Sequence, residues 1–504
     1  MSWFAEIHHR NIMIVGTLGL GLATTMVALE VRAKSSCQVT KTVDDINVSN
    51  TLRWCVSKLN TGGYPSIDIA AGTYELKSPL TITGGSQMNG PVGGGVAITP
   101  SNAFGGGASL LEFTGGFKIF DVELEGNGNV ADVRGIRAAG PSLDLTRVGI
   151  SGFDTTGDGG GVLVEGGVLH ADETNVSNCV ASNGGGIAVD DAELALLGVS
   201  TVSDNKATLD GGGIYVDPGS VMPSVTVDDS YVGANEASRG GCIYATVGSV
   251  NIVDSEISGG QATGHGGGIY GTAVIVGSEV RDNVSDDQGG GIYAVGDITM
   301  ETSLMFNNVG VAGGGLYVGG ASVISIHRST FEFNHATGEG GGALSISGGT
   351  SKVANSTFAH NQAEQNGGAI AINGGVVDFF HVTTGFNSTS LGTAETFQVD
   401  GGTVSVQSTL IAGLPAGTQC GGLPGAWVQT TSMATDNSCT GMTVVGLPIG
   451  GLLHDPRTPV FDTDFGTVGG VGACVAQSGI DQLDAPRPMN GCSVGALEVE
   501  PTPP

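Results

Sequence analysis

A glycine cluster followed by an aliphatic residue recurs through the middle of this 504-residue chain. The copies are Gly159-Gly160-Gly161-Val162, Gly184-Gly185-Gly186-Ile187, Gly211-Gly212-Gly213-Ile214, Gly240-Gly241-Cys242-Ile243 and Gly266-Gly267-Gly268-Ile269. They continue with Gly289-Gly290-Gly291-Ile292, Gly313-Gly314-Gly315-Leu316, Gly340-Gly341-Gly342-Ala343 and Gly367-Gly368-Ala369-Ile370. Successive first glycines are 25, 27, 29, 26, 23, 24, 27 and 27 residues apart. Self-similarity at that period is the signature of a stacked repeat. A second marker keeps step: Asn178, Asn205, Asn283, Asn307, Asn334 and Asn361 lie six residues before the next cluster, and Asn235 lies five before.

Between the markers run short alternating segments such as Ser322 to Ile326 and Ser329 to Phe333. Alternation with β-branched residues reads as strand, and the glycines read as turns. A leucine-rich repeat has a similar period, but its leucine-and-asparagine consensus is missing and no helical stretch fits between the strands. The pattern predicts an all-β fold, a single-stranded right-handed parallel β-helix of about a dozen coils. Each coil holds about three short strands, each paired with its counterpart ~4.8 Å away in the next coil. Ile214 and Val216 point inward and stack on Ile243, Ile269 and Ile292, while the asparagines form a buried ladder at one corner.

Composition agrees. Glycine supplies 89 residues, and aromatic residues make up only 5%. Side chains that sparse cannot fill several ordinary cores, and the glycine is not every third residue, which excludes collagen. The segment Asn50 to Leu59 puts Leu52, Cys55, Val56 and Leu59 on one helical face, with Asn50 as N-cap, and reads as a cap over the first coil. The expected organisation is an export signal over 1–33, a cap and first coils over 34–100, repeats over 101–411 and a C-terminal module over 412–504.

The signal rests on the apolar run Ile12 to Leu29 and on Val31-Arg32-Ala33 as a cleavage site, with an uncleaved anchor as the alternative for a run of this length. No second apolar run of that length occurs, so no helical membrane span is expected in the mature chain. Eight cysteines fit an oxidising compartment. Their spacing suggests the local clips Cys37–Cys55, Cys420–Cys439 and Cys474–Cys492, with Cys179 and Cys242 as small core or turn residues. A net charge of −30 excludes a basic nucleic-acid footprint.

The opening Thr51-Leu52-Arg53-Trp54 with Ile67 to Tyr74 resembles the entry segment of bacterial right-handed β-helix repeat proteins. The rhythm of Phe331 to Asn334 and Phe358 to Asn361 is similar to that of polymorphic outer-membrane protein repeats. The ending, Asp481-Gln482, Pro486-Arg487-Pro488 and Cys492 to Glu498, resembles the choice-of-anchor Q module, with Leu483-Asp484 and Ser493-Val494 departing from its usual residues. The resemblance implies a pectate-lyase-like fold and a secreted or bacterial cell-surface, outer-membrane-associated location. It implies an activity only weakly.

Two columns carry candidate chemistry. Asp210, Arg239 and His265 each immediately precede a glycine cluster in three consecutive coils, with Asp286 and Asp287 near the same corner. They form the candidate acid–base set of a polysaccharide lyase or hydrolase, or else an exposed charge ladder that continues with Gln288 and Ala312. Tyr215, Tyr244, Tyr270, Tyr293 and Tyr317 follow the first aliphatic residue of five consecutive coils and should point outward. They are the candidate ligand-binding stripe, or a stack that protects the sheet face. Nucleophile-elbow, zinc-ribbon and dinucleotide motifs are absent. The leading expectation is a non-enzymatic adhesion or interaction protein with no cofactor, whose partner is a polysaccharide or a surface protein. The alternative is a polysaccharide lyase or glycoside hydrolase, and Ca²⁺ enters only under that alternative.

Overall fold

The computed structural model describes residues 36–413, Met222 excepted, and short segments between 417 and 461. The expected export signal, Cys474, Cys492 and the motif residues from Asp481 to Glu498 lie outside the described residues.

The described chain is all-β apart from one helix, Leu52–Asn60, and its strands stack as a parallel β-helix. One coil shows the plan. From Gly211 the chain runs through Ile214–Val216, Ser224–Asp228, Tyr231–Gly233 and the short Glu236–Ala237, and reaches the next cluster at Gly240. Each segment pairs in parallel with its counterpart one coil on: Ile214 with Ile243, Val225 with Val250, Val232 with Ile257 and Ala237 with Ala262. The result is three long ladders and a short fourth around one narrow core. The third ladder has 16 strands, from Gly72–Leu76 to Thr443–Val444, so the solenoid exceeds the dozen coils expected from the repeat. The excess comes from coils before Gly159, where the triple glycines at Gly93 and Gly105 fall out of step with the period, and after Gly367.

Alternation decides which side chains fill the core. The first ladder stacks Leu111, Ile136, Val162, Ile187, Ile214, Ile243, Ile269, Ile292 and Leu316 as one buried column, and Leu344, Ile370 and Phe397 extend it. The glycine cluster serves two needs. Gly211 has φ +63°, and a Cβ there would stand 2.3 Å from the Ile214 carbonyl oxygen. Gly212 lies so close to the next coil that a Cβ would meet the Gly241 oxygen at 2.4 Å. The copy at Gly340 is shifted by one. Positive φ falls on Gly341, and Leu344, not Ala343, joins the column. Gly340 therefore holds the position before the cluster.

At the corner after the third ladder, buried asparagines form the expected ladder, with two corrections. Its rungs are Asn205, Asn235, Asn283, Asn308, Asn334, Asn361 and Asn387. Each Oδ1 accepts the backbone N–H at the ladder position one coil earlier: Asn308 donates to Asn334 at 3.1 Å and Asn334 to Asn361 at 3.0 Å. Each Nδ2 donates to a strand carbonyl, as Asn334 does to Met305 at 2.9 Å. Asn178 and Asn307 are not rungs. Both are exposed, left-handed residues one position earlier, with φ 54° and 52°. Cys179 and Asn308 hold the ladder positions there, because the distance from ladder to cluster varies by one residue between coils.

The ladder skips Gly260, whose N–H still reaches Asn283 at 2.9 Å. Cys242, third in its cluster, puts Sγ 2.7 Å from where a Gly260 Cβ would stand, so sulfur fills the missing rung. Burial pushes the Cys179 and Cys242 thiols up to about 12, and both are free and buried.

A second polar ladder runs along the corner between the second and third ladders. Ser255, Ser278, Ser303, Ser329 and Ser356 each accept the N–H of the preceding serine rung and donate to a carbonyl two residues back. Together the two ladders satisfy the corners' backbone groups inside the core.

The helix forms where expected and buries Leu52, Cys55, Val56 and Leu59. Its N-cap is Thr51, whose Oγ1 accepts the Trp54 N–H at 3.2 Å; Asn50 precedes it with φ 65°. The disulfides Cys37–Cys55 and Cys420–Cys439 are both present.

Candidate functional site

The charged column and the tyrosine stripe were expected as separate features, and the structure joins them. The five tyrosines pair in register on the outer side of the first ladder. Tyr215 and Tyr244 stack with ring centroids 5.5 Å apart, Tyr244 and Tyr270 at 5.1 Å, Tyr270 and Tyr293 at 5.1 Å, and Tyr293 and Tyr317 at 5.2 Å. Interplanar angles run from 1° to 22°. Parallel strands in register hold equivalent side chains at the coil repeat, which is close to ring-stacking distance.

Each corner residue stands five positions before the tyrosine of its own coil, and Arg239 and His265 reach forward to the next. Arg239 lies over Tyr244 and Tyr270, its guanidinium carbon 5.0 and 5.2 Å from their centroids. The His265 ring is 4.4 Å from that of Tyr293 and 6.4 Å from that of Tyr270. Arg239 also clasps Asp210 through two bonds, Nε to Oδ1 at 2.8 Å and Nη2 to Oδ2 at 2.7 Å. Under this cover Tyr244 is only 5% exposed, while the other four tyrosines are half-buried.

The arrangement has definite electrostatics. The Asp210 hydrogen bonds hold the Arg239 guanidinium strongly in its charged form, so it is poorly suited to take a proton. Burial, and then the Asp217 and Asp158 carboxylates, push the Tyr215 hydroxyl upward. Burial likewise raises Tyr244 and Tyr293. These phenols therefore stay neutral O–H groups. His265 Nδ1 lies 3.4 Å from an Asp287 oxygen without hydrogen-bond alignment. Gln288 and Ala312 continue the column as a bridged pair, and the charges stop there.

The stripe ends within the ladder. Ala188 takes the tyrosine position before Tyr215, and Ser345 takes it after Tyr317. The strands pair through both ends without interruption. Beside Ala188 the missing ring leaves a depression of about 210 Å³. Larger depressions lie on other faces. One of about 360 Å³ has Asp229, Asp254, Glu256 and Glu279 on its walls. Another, of about 280 Å³, includes Glu301, His327 and Lys352. Burial, and then the charge of Arg328, push the His327 imidazole below its usual range.

A further outer column, missed in the sequence, stacks Phe333, His360 and Phe386 at 4.9 and 5.2 Å. These residues immediately precede rungs of the asparagine ladder, and that shared offset was the available signal. Among the described residues, no group of three histidine, cysteine, aspartate or glutamate side chains is placed to hold a metal ion. No described helix is long and apolar enough to cross a membrane. Comparison with protein families, with curated proteins and with solved structures finds no match.

Proposed function

We propose that this chain is an exported, surface-associated or secreted binding protein, and that the outer side of its first ladder is the contact face. One observation carries the reading: the tyrosine stack with its Asp210–Arg239 clasp occupies five coils and stops on both sides, although the ladder beneath continues. The inner aliphatic column, by contrast, runs on through the coils on both sides, from Leu111 to Phe397. Four coil steps make a rigid strip about 19 Å long. The internal rings have both faces covered by their neighbours, so the strip offers ring edges, phenol hydroxyls, a fixed guanidinium and an imidazole. Such a surface suits an extended polar ligand, a polysaccharide or a peptide segment, held by hydrogen bonds and edge contacts. The fixed, charged state of Arg239 supports recognition over proton transfer.

Lyase or hydrolase activity is the alternative, and the nearness of His265 to Asp287 is what favours it. One experiment addresses both. Purified protein is incubated with neutral and acidic polysaccharides, with and without Ca²⁺, and both binding and new chain ends are recorded. Binding without cleavage, lost in Tyr270→Ala with Tyr293→Ala, is the expected result. New chain ends that disappear in Arg239→Ala or His265→Ala would replace the binding reading with the enzymatic one.

A further inference from the structure

The depression at the head of the tyrosine stack has its own chemistry. Tyr244 covers one face of Tyr215. On the other side, in register, stands Ala188, whose methyl group is too short to cover a ring, and beyond it Leu163. The resulting slot of about 210 Å³ is bounded by Tyr215, Ala188 and Leu163, with the carboxylates of Asp158, Glu165, Asp190 and Asp217 around it. Arg134 is the one cation on its wall, and its Nε is committed to the Asp158 and Gly159 carbonyl oxygens at 2.8 and 3.0 Å. Glu165 is paired with Arg137 at 2.6 Å. Asp190 and Asp217 have no cationic partner among the described residues; Asp190 accepts from Ser220 at 3.5 Å and Asp217 from the Gly219 N–H at 2.7 Å.

The same parts occur two coils further on with their occupant in place. There a guanidinium, that of Arg239, rests on tyrosine rings and is clasped by the carboxylate that precedes a glycine cluster, Asp210. At the slot, Asp158 holds the equivalent position before Gly159, Asn183 stands where Arg239 would and donates its Nδ2 to Asp158 Oδ1 at 2.9 Å, and the Tyr215 face is left open with no guanidinium stacked on it. We propose that the slot receives an arginine side chain of a partner polypeptide, which stacks on Tyr215 and pairs with Asp190 and Asp217. An arginine suits it better than a compact ammonium, because a flat group fills a one-ring gap and offers a fork to two carboxylates. This inference names a partner class for one end of the face. It stands or falls separately from polysaccharide binding, which is tested at Tyr270 and Tyr293.

The test is calorimetric titration of the full chain with penta-arginine and with penta-citrulline, its neutral counterpart of nearly the same shape. Three variants are compared: Ala188→Tyr, which continues the stack into the slot without changing charge; Asp190→Asn with Asp217→Asn; and Glu364→Gln with Asp400→Asn, an equal loss of charge at exposed remote sites. Penta-arginine should bind and penta-citrulline should not. Ala188→Tyr and the Asp190/Asp217 pair should each weaken binding by about tenfold, and the remote pair by less than about twofold. Ala188→Tyr is accepted only with a wild-type circular dichroism spectrum, and the Asp190/Asp217 pair gives the answer if it does not fold. Equal binding of both peptides, or weakening that follows net charge wherever it is removed, would overturn the proposal.

Discussion

Two columns run along the same coils, one inside the corner and one on the outer face, and they end differently. The asparagine ladder spans Asn205 to Asn387 and is skipped at Gly260 only because Cys242 fills the gap with sulfur. The tyrosine column stops at Ala188 and Ser345 with nothing in its place, and at one end the vacancy remains as a slot. A buried corner without its rung leaves N–H and C=O groups with no partner, so the chain either keeps the rung or substitutes for it. An outer column carries no such obligation. Its five coils are better explained by what they contact than by what they hold up.

The contrast can be broken by mutation. The largest effect is expected inside. Asn334→Ala removes the acceptor for the Asn308 N–H and the donor to the Met305 carbonyl, and should cost about 3 kcal/mol in urea unfolding. Arg239→Ala comes next. It strips the cover from Tyr244 and leaves Asp210, whose side chain is 13% exposed, without its partner. The guanidinium is itself well exposed, so a loss of about 1 kcal/mol, diminishing in high salt, is expected from thermal melts.

The smallest effect sharpens the picture of the outer surface. The folded His327 pKa is held below its unfolded value of 6.5, first by burial and then by Arg328. On acidification the unfolded chain therefore takes this proton first. Stability from this group is complete above pH 6.5 and is lost as pH falls from there through the lower folded value. His327→Gln should flatten that part of the melting-temperature profile, and an unchanged profile would show that His327 is not its source.

Much of this was legible in the residues. The glycine period and the alternation identified the parallel β-helix, the inward column of Ile214, Ile243, Ile269 and Ile292 and the outward tyrosines, and cysteine spacing identified both described disulfides. Reading Asn307 as a rung instead of Asn308 failed because the corner admits one extra residue, and a count from the glycines cannot see on which side of it the chain turns. The serine ladder escaped because Ser255, Ser278 and Ser303 are small polar residues in a chain full of them, and only their hydrogen bonds set them apart. The joining of Arg239 and His265 to the tyrosines escaped for another reason. Each side chain reaches forward by one coil, and alternation along a strand says nothing about reach along the solenoid axis. The first and last coils do not carry the cluster in step with the period, so the repeat undercounted them.

The most direct test of the central claim uses one coil that holds both columns. Tyr317 and Asn334 lie 17 residues apart in it, the first at the outer end of the stack and the second in the buried ladder. Urea unfolding of Tyr317→Ser, the residue that the next coil already carries at Ser345, should show a loss of about 1 kcal/mol from one stacking pair, against about 3 kcal/mol for Asn334→Ala. A Tyr317→Ser variant as unstable as Asn334→Ala would contradict the account, because the tyrosines would then be part of what holds the solenoid together.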